Sequence, residues 1–299
     1  MDILRNNNLF DTVFSIADVS IVLRTIYPIQ ITEGFQPFLS GKEENGVVVN
    51  FCEADQMDFA NEEPLISELT FSVYEDRNGY YRVFHEAAIP QNNRTYATGR
   101  FCSDYLEQIY YLKNSVDLLK DSQRAFAHIA FEELLFRQGA MILHASFVNT
   151  EYGGILFTGP SGVGKSTQAD LWVKYRDAEL INGDRTILRS KDGLWKAYGS
   201  PYAGSSRCYV NKSCRIRAVV VLKQAKNCHI QRMDPAPAFI RLYSEMVVNI
   251  WNPEYVDGIT DMIRDFVTKI PVYLFAVTPE KEAVGLLSNA LEKEADYEG

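Results

Sequence analysis

The segment Gly159-Pro160-Ser161-Gly162-Val163-Gly164-Lys165-Ser166 decides the fold. It satisfies the pattern GxxxxGK[ST] in full, and each position has a physical task. Glycines let consecutive backbone N–H groups curl round an anion with no Cβ in the way. A helix starting at Gly164-Lys165 turns the positive end of its dipole towards the same anion. Lys165 is placed to reach β- and γ-phosphates, and the Ser166 hydroxyl to ligate Mg²⁺, so ATP with Mg²⁺ is the expected ligand. The expected contacts are Gly159, Pro160, Ser161, Gly162, Val163, Gly164, Lys165, Ser166 and Thr167. An apolar strand, Gly154 to Phe157, precedes the loop and a helix-forming run, Gln168 to Trp172, follows it. The competing reading is a glycine-rich turn that only caps a helix. Strand, loop and helix standing in register argue against it.

Phosphoryl transfer also needs a carboxylate near the metal or the attacking hydroxyl. Ala178-Glu179-Leu180-Ile181-Asn182-Gly183-Asp184-Arg185 offers one at the end of the next expected strand. Asp184 is the candidate general base, metal ligand or both. Its plainer reading is a turn aspartate after a glycine. Glu179 stands at the start of that strand, where it points away from the loop. His144, in the apolar run Met141-Ile142-Leu143-His144-Ala145, is either a core residue or a charge partner beside the phosphates.

Outward from this centre, Glu179 to Asn182 reads as a strand and Thr186 to Tyr198 as a hairpin turning at Lys191-Asp192-Gly193. Ala218 to Leu222 reads as a buried strand, 235–269 as two helices, and the tail as a strand (Val272 to Val277) followed by a helix. The first hundred residues are β-rich. Phe71 to Tyr74 and Tyr81 to Phe84 flank Asn78-Gly79, a hairpin signal, while Val19 to Ile26 and Gly46 to Phe51 are further strands. Pro28, Pro37, Pro64 and Pro90 mark loops. Asp104 with Glu107 predicts a capping box and a helix through Leu106, Ile109 and Tyr110. A second helix is expected from Ser122 to Gln138, stopped by Gly139. The fold class is therefore α/β: a β-rich N-terminal domain over 1–118 and a P-loop domain over 119–299.

Composition bounds the partners. A hydrophobic fraction of 46% with 23% charged residues describes a folded chain. A net charge of −9 repels nucleic acid and anionic lipid, so neither is an expected partner. No apolar run approaches the ~20 residues that span a bilayer, and the first eight residues lack the order of a signal peptide. The five cysteines are scattered without a CxxC pair, which fits a reducing cytoplasm and gives no zinc knuckle.

The order Leu143-His144-Ala145, Gly159 to Thr167, Ile181-Asn182-Gly183-Asp184-Arg185, then Gly199-Ser200-Pro201-Tyr202 resembles the HPr kinase/phosphorylase superfamily. That group shares its P-loop core with ATP-dependent phosphoenolpyruvate carboxykinase. Ile270-Pro271-Val272-Tyr273-Leu274-Phe275 also looks like the closing strand of HPr-kinase-related proteins. The resemblance implies a P-loop kinase core of this type, Lys165 as the phosphate-binding lysine, Ser166 as the magnesium ligand, Asp184 as general base and His144 beside the phosphates. Arg185 follows the acid as in the family. The loop Pro201 to Arg207 corresponds to a region that helps shape the acceptor pocket in the superfamily, and Arg207 is a candidate either to supply positive charge to the transferring phosphoryl group or to be a solvated surface arginine. Tyr209, Arg215 and Arg217 are weaker versions of that idea. Two departures stand out: Gly183 replaces the first aspartate of the family's pair, and the loop ends Lys-Ser-Thr where HPr-specific enzymes have Lys-Ser-Glu. The implied activity is a kinase that phosphorylates a hydroxyl, a serine of a protein or peptide. A nucleotide-binding regulator and a small-molecule phosphotransferase are the alternatives. HPr kinase relatives assemble into rings, so a homo-oligomer is open to the chain.

Overall fold

The computed structural model describes residues 9–41, 46–57, 63–77, 79–86, 95–100 and 107–295. The chain forms two compact units, Met1–Leu134 and Leu135–Gly299. The sequence placed the division at 118/119 instead. Residues 119–134 group with the first unit because Phe126 packs edge-on against Phe14 and lies 4.6 Å from Phe35 between ring centroids.

The first unit is a mixed sheet of β1 (Phe10–Ile16), β2 (Val19–Thr25), β3 (Val47–Ala54), β4 (Ile66–Ser67), β5 (Phe71–Asp76), β6 (Gly79–His85), β7 (Thr95–Arg100) and β8 (Glu107–Leu112). Its order is β1-β2-β3-β8-β7-β6-β5-β4. The β5–β6 hairpin forms as expected, with Gly79 at φ +108°; Asn78 lies outside the described residues, as do Pro90 and Ser103 to Leu106. Pro37 sits inside a short 3₁₀ helix, Glu33–Phe38, rather than in a loop.

One helix expectation is overturned. Glu107 to Leu112 is the strand β8, which pairs parallel with β3 and antiparallel with β7. Glu107, Ile109 and Tyr111 are buried while Gln108, Tyr110 and Leu112 are less so, a period of two that the Asp104/Glu107 spacing masked. The expected helix over 122–138 is two, α1 (Ser122–His128) and α2 (Phe131–Arg137). The break at Ile129, with extended dihedrals, leaves the Ala130 N–H without a helical acceptor, and the Oε1 of the buried Glu107 carboxyl accepts it at 2.8 Å.

The second unit follows with β9 (Ala140–Thr150), β10 (Gly153–Thr158), α3 (Lys165–Arg176), β11 (Glu179–Asn182), β12 (Arg185–Lys191), β13 (Leu194–Tyr198), β14 (Ser213–Gln224), β15 (His229–Arg232), α4 (Pro235–Tyr243), α5 (Pro253–Lys269), β16 (Val272–Val277) and α6 (Lys281–Ala295). Two long strands each change partner midway. Residues 140–144 of β9 pair with β12, and 145–150 pair with β10. Residues 213–215 of β14 pair with β13, and its later part runs parallel to β10 and to β16. The β12–β13 hairpin turns at Asp192 and Gly193, both at positive φ, as a tight two-residue turn requires.

Alternation along these strands sorts the core into two layers. Leu156, Val219 and Val221 join α4 and α5 on one face, with Tyr255, Ile259, Ile263 and Phe266. Ile155, Phe157, Ala218, Val220 and Leu222 meet α3 and α6 on the other, with Trp172 and Leu287. Strands covered on both faces read as unbroken apolar runs, which is why Gly154 to Phe157 and Ala218 to Leu222 were visible in the sequence. Helix α3 buries Lys165, Gln168, Ala169 and Trp172, the i, i+3, i+4, i+7 stripe of a helix lying on a sheet.

Candidate phosphate-binding site

Residues 159–164 link the end of β10 to the start of α3. Gly159, Gly162 and Gly164 have φ of +134°, +77° and +112°, a backbone that other L-residues rarely adopt. A Cβ added at Gly162 or Gly164 would meet nothing within 4 Å, so the loop is open on that side. Gly164 is the N-cap of α3 and no side chain caps the helix there, which leaves its first-turn N–H groups directed outwards. Ser166 and Thr167 are exposed at that same helix end. Lys165 is buried and donates to the carbonyls of Gly159 (2.7 Å) and Pro160 (3.3 Å). Burial pulls its ammonium below the ordinary lysine range, and the charges of Glu245 and Asp184 act in the opposite direction.

Asp184 stands between β11 and β12, and a single buried side chain fixes it. The Asn182 Oδ1 accepts from the N–H groups of Asp184 and Arg185, each at 2.9 Å. Its Nδ2 donates to the carbonyls of Ser200 (3.1 Å) and Tyr202 (3.3 Å). Asn182 therefore ties the acid to the segment 200–202. The sequence contained it inside the motif without revealing this role. Ala145 N–H donates to the Asp184 carbonyl at 2.9 Å, and Arg185 pairs with His144 across β12 and β9. His144 Nε2 consequently lies 3.1 Å from Asp184 Oδ1. The two side chains are 36% and 34% exposed, so His144 is not a core residue.

On the other edge of the His144 ring, Nδ1 is 3.6 Å from Glu245 Oε2, too long for a hydrogen bond. The sequence reading missed Glu245, which follows α4 and belongs to no motif. The backbone pairing of residues 245–247 with β9, including the bridge between Leu143 and Met246, brings it to the site. A cleft of about 550 Å³ opens here, lined by Gly159, Pro160, Gly162, Gln224, Arg241 and Glu245 among others. Gln224 Nε2 donates to the Gly162 carbonyl at 3.1 Å and steadies the loop.

The remaining candidates spread out. Gly204 touches Asp184, since a Cβ there would lie 2.9 Å from Asp184 Cβ. Arg207 ends that turn, exposed and at φ +51°. The Arg185 guanidinium lies 5.6 Å from the centre of the Tyr202 ring. Tyr209 bridges to Asn182. Arg217 donates to the Leu291 carbonyl at 2.6 Å, and Arg215 lines a separate small cleft with Tyr152 and Lys269. Leu222 lies against Gly159, so these two arginines sit at the opposite end of β14, roughly 20 Å along the strand. They are excluded from the site.

Among the described residues no group of three or more His, Cys, Asp or Glu could hold a metal ion. A magnesium ion needs no such cage when a phosphate supplies most of its oxygens, and a hydroxyl with one carboxylate then suffices. Ser166 is a hydroxyl and Asp184 a carboxylate, the donor types such a site takes. Among the described residues no helix is long and apolar enough to cross a membrane.

No protein-family model and no curated protein matches the chain. Among solved structures it is similar to the HPr(Ser) kinase/phosphatase from Coxiella burnetii, over 53% of this chain and 99% of that one, at 13% identity and a TM-score of 0.33. That likeness is a distant relationship at most, and it carries no functional argument.

Proposed function

We propose that the chain is an ATP-dependent phosphotransferase whose acceptor is a hydroxyl, a serine of a protein or peptide. The single observation that supports it most is the pairing of an uncapped glycine loop and its buried Lys165 with the Asp184 carboxylate, held beside His144. In this reading the loop amides and Lys165 bind the triphosphate, Lys165 exchanging its two carbonyl partners for phosphate oxygens. Ser166 and Asp184 would hold Mg²⁺, which would supply charge neutralisation. The acceptor hydroxyl attacks the γ-phosphorus, its proton passes to Asp184, and ADP leaves. The protein's part is positioning and electrostatics.

The test joins two measurements on one protein. ATP·Mg²⁺ is expected to raise the melting temperature, and ADP is expected to appear on incubation with acceptor. Asp184→Asn should keep the thermal shift and lose transfer by about 10²–10⁴-fold. Lys165→Ala should lose both. Normal turnover in Asp184→Asn removes Asp184 from the mechanism.

A second reading, a nucleotide-binding regulator without efficient transfer, is favoured by one feature. Gly183 carries no carboxylate, and the space beside it is filled by Ser206, whose Oγ would lie 2.1 Å from an added Cβ. Thermal protection by ATP with no ADP release from any acceptor selects this reading over the first.

A further inference from the structure

We propose that Glu245 is a positioning residue of this site, a second carboxylate that holds the His144 ring against Asp184 from the ring's far edge. The inference rests on the function proposed above. Glu245 is no loosely held surface glutamate. Its N–H donates to the Leu242 carbonyl at 3.0 Å as the chain leaves α4, and its carbonyl accepts the His144 N–H at 2.9 Å. One residue on, Met246 bridges to Leu143, and the Val247 N–H donates to the Ile142 carbonyl at 3.0 Å. The segment thus runs as a short extra strand beside β9, and its register sets Glu245 against His144.

The side chain is 12% exposed, which takes most of a carboxylate out of water. Burial of that kind is costly unless charges of opposite sign face it. The Lys165 ammonium supplies one, and Glu245 acts on it more strongly than Asp184 does, while the polar His144 Nδ1 lies 3.6 Å from Glu245 Oε2. His144 has Asp184 3.1 Å from one ring nitrogen and Glu245 3.6 Å from the other, so a carboxylate stands at each edge of the ring. With the Glu245 charge removed, only one carboxylate holds the imidazole. Asp184 then loses the fixed partner that orients it towards an acceptor.

The experiment uses the full chain labelled with ¹⁵N at its four histidines, His85, His128, His144 and His229. His144 is assigned by its loss in His144→Gln. Glu245→Gln is expected to move the ring-nitrogen resonances of His144 and leave the other three in place. In parallel, ADP release with ATP·Mg²⁺ is expected to fall roughly 10- to 100-fold in kcat, with KM for ATP nearly unchanged, as for a misplaced rather than a missing group. Glu245→Asp should recover part of the loss. A His144 spectrum unaltered by Glu245→Gln overturns the proposal, and so does a wild-type kcat in that variant. If the wild type neither binds nor hydrolyses ATP, the function reading fails, and the spectrum alone still decides whether Glu245 holds His144.

Discussion

Gly183 shows how a missing side chain can be part of the packing. Its backbone needs no positive φ, so conformational freedom is not the reason for glycine; space is. An added Cβ would lie 2.1 Å from Ser206 Oγ and 2.4 Å from Ser206 Cβ. Gly183→Ala is therefore expected to cost about 1–3 kcal/mol by overpacking. Ser206→Gly in the same chain should return most of it, because both opposing atoms disappear. Denaturant unfolding of the two single variants and the double variant checks the coupling, and strict additivity would exonerate Ser206. A second residue-scale prediction concerns Glu107 in the first unit. Burial pushes its carboxyl up to about 8, against the donated Ala130 N–H and the Arg82 charge, which act to lower it. A raised folded value means that the stability it contributes is complete below the unfolded value of 4.5 and is lost as pH rises through about 8. His128 works in the other direction: burial depresses it to about 4, so its contribution is complete above 6.5 and lost as pH falls. Between pH 7 and 8.5 Glu107 dominates. The wild type should lose stability there, and Glu107→Gln should stay level over the same range in pH-dependent melting. Of the residues of the proposed site, Lys165, Ser166 and Asp184 stand in sequence motifs, where their chemistry is local. Glu245 stands in none, because only a tertiary strand pairing gives it a role.

Elements became legible where one physical signal was uncontested. The run into β10, the glycine loop and the stripe on α3 agree with one another, and β11 to β13 follow from apolar runs and a tight turn. Signals conflicted at residues 107–112, where capping-type spacing competed with a two-residue alternation, and the sheet won because β3 and β7 supplied partners on both edges. The break between α1 and α2 was hidden because the group that satisfies it, Glu107, lies on a distant strand. Helix α3 offers the sharpest test of packing at this scale. Trp172 is fully buried against the sheet, yet its Nε1 has no hydrogen-bond partner. Trp172→Ala should cost about 3–5 kcal/mol through the cavity it leaves. Trp172→Phe should cost much less, since most of the ring remains and an unpaired buried N–H is removed. Chemical denaturation of both variants reads the difference. Equal losses would mean that the indole N–H is paired after all.

For the whole molecule, chain order tells little about where the site assembles. His144 on β9, the loop after β10, Asp184 between β11 and β12, and Glu245 after α4 come from separate stretches, and β9 gathers them. The Thr158 hydroxyl donates to the His144 carbonyl at 2.8 Å, Arg185 pairs with His144, and the His144 N–H is bonded to Glu245. The motif order anticipated His144, the loop and Asp184, but no sequence pattern encodes Glu245, which joins them only through the pairing of residues 245–247 with β9. The gathering has a measurable consequence. A ligand present at about 100 times its Kd stabilises the bound state by about 2.7 kcal/mol, and amides that open locally near it exchange correspondingly more slowly. Adding ATP·Mg²⁺ should therefore slow hydrogen exchange at residues 160–168, and also at 143–146, 182–186 and 241–246, which are far apart in sequence and tied together by β9. The sheet of the first unit should keep its rates. Protection limited to 160–168 would show a loop that binds nucleotide without engaging the His144, Asp184 and Glu245 cluster, and protection nowhere would remove the nucleotide from this site.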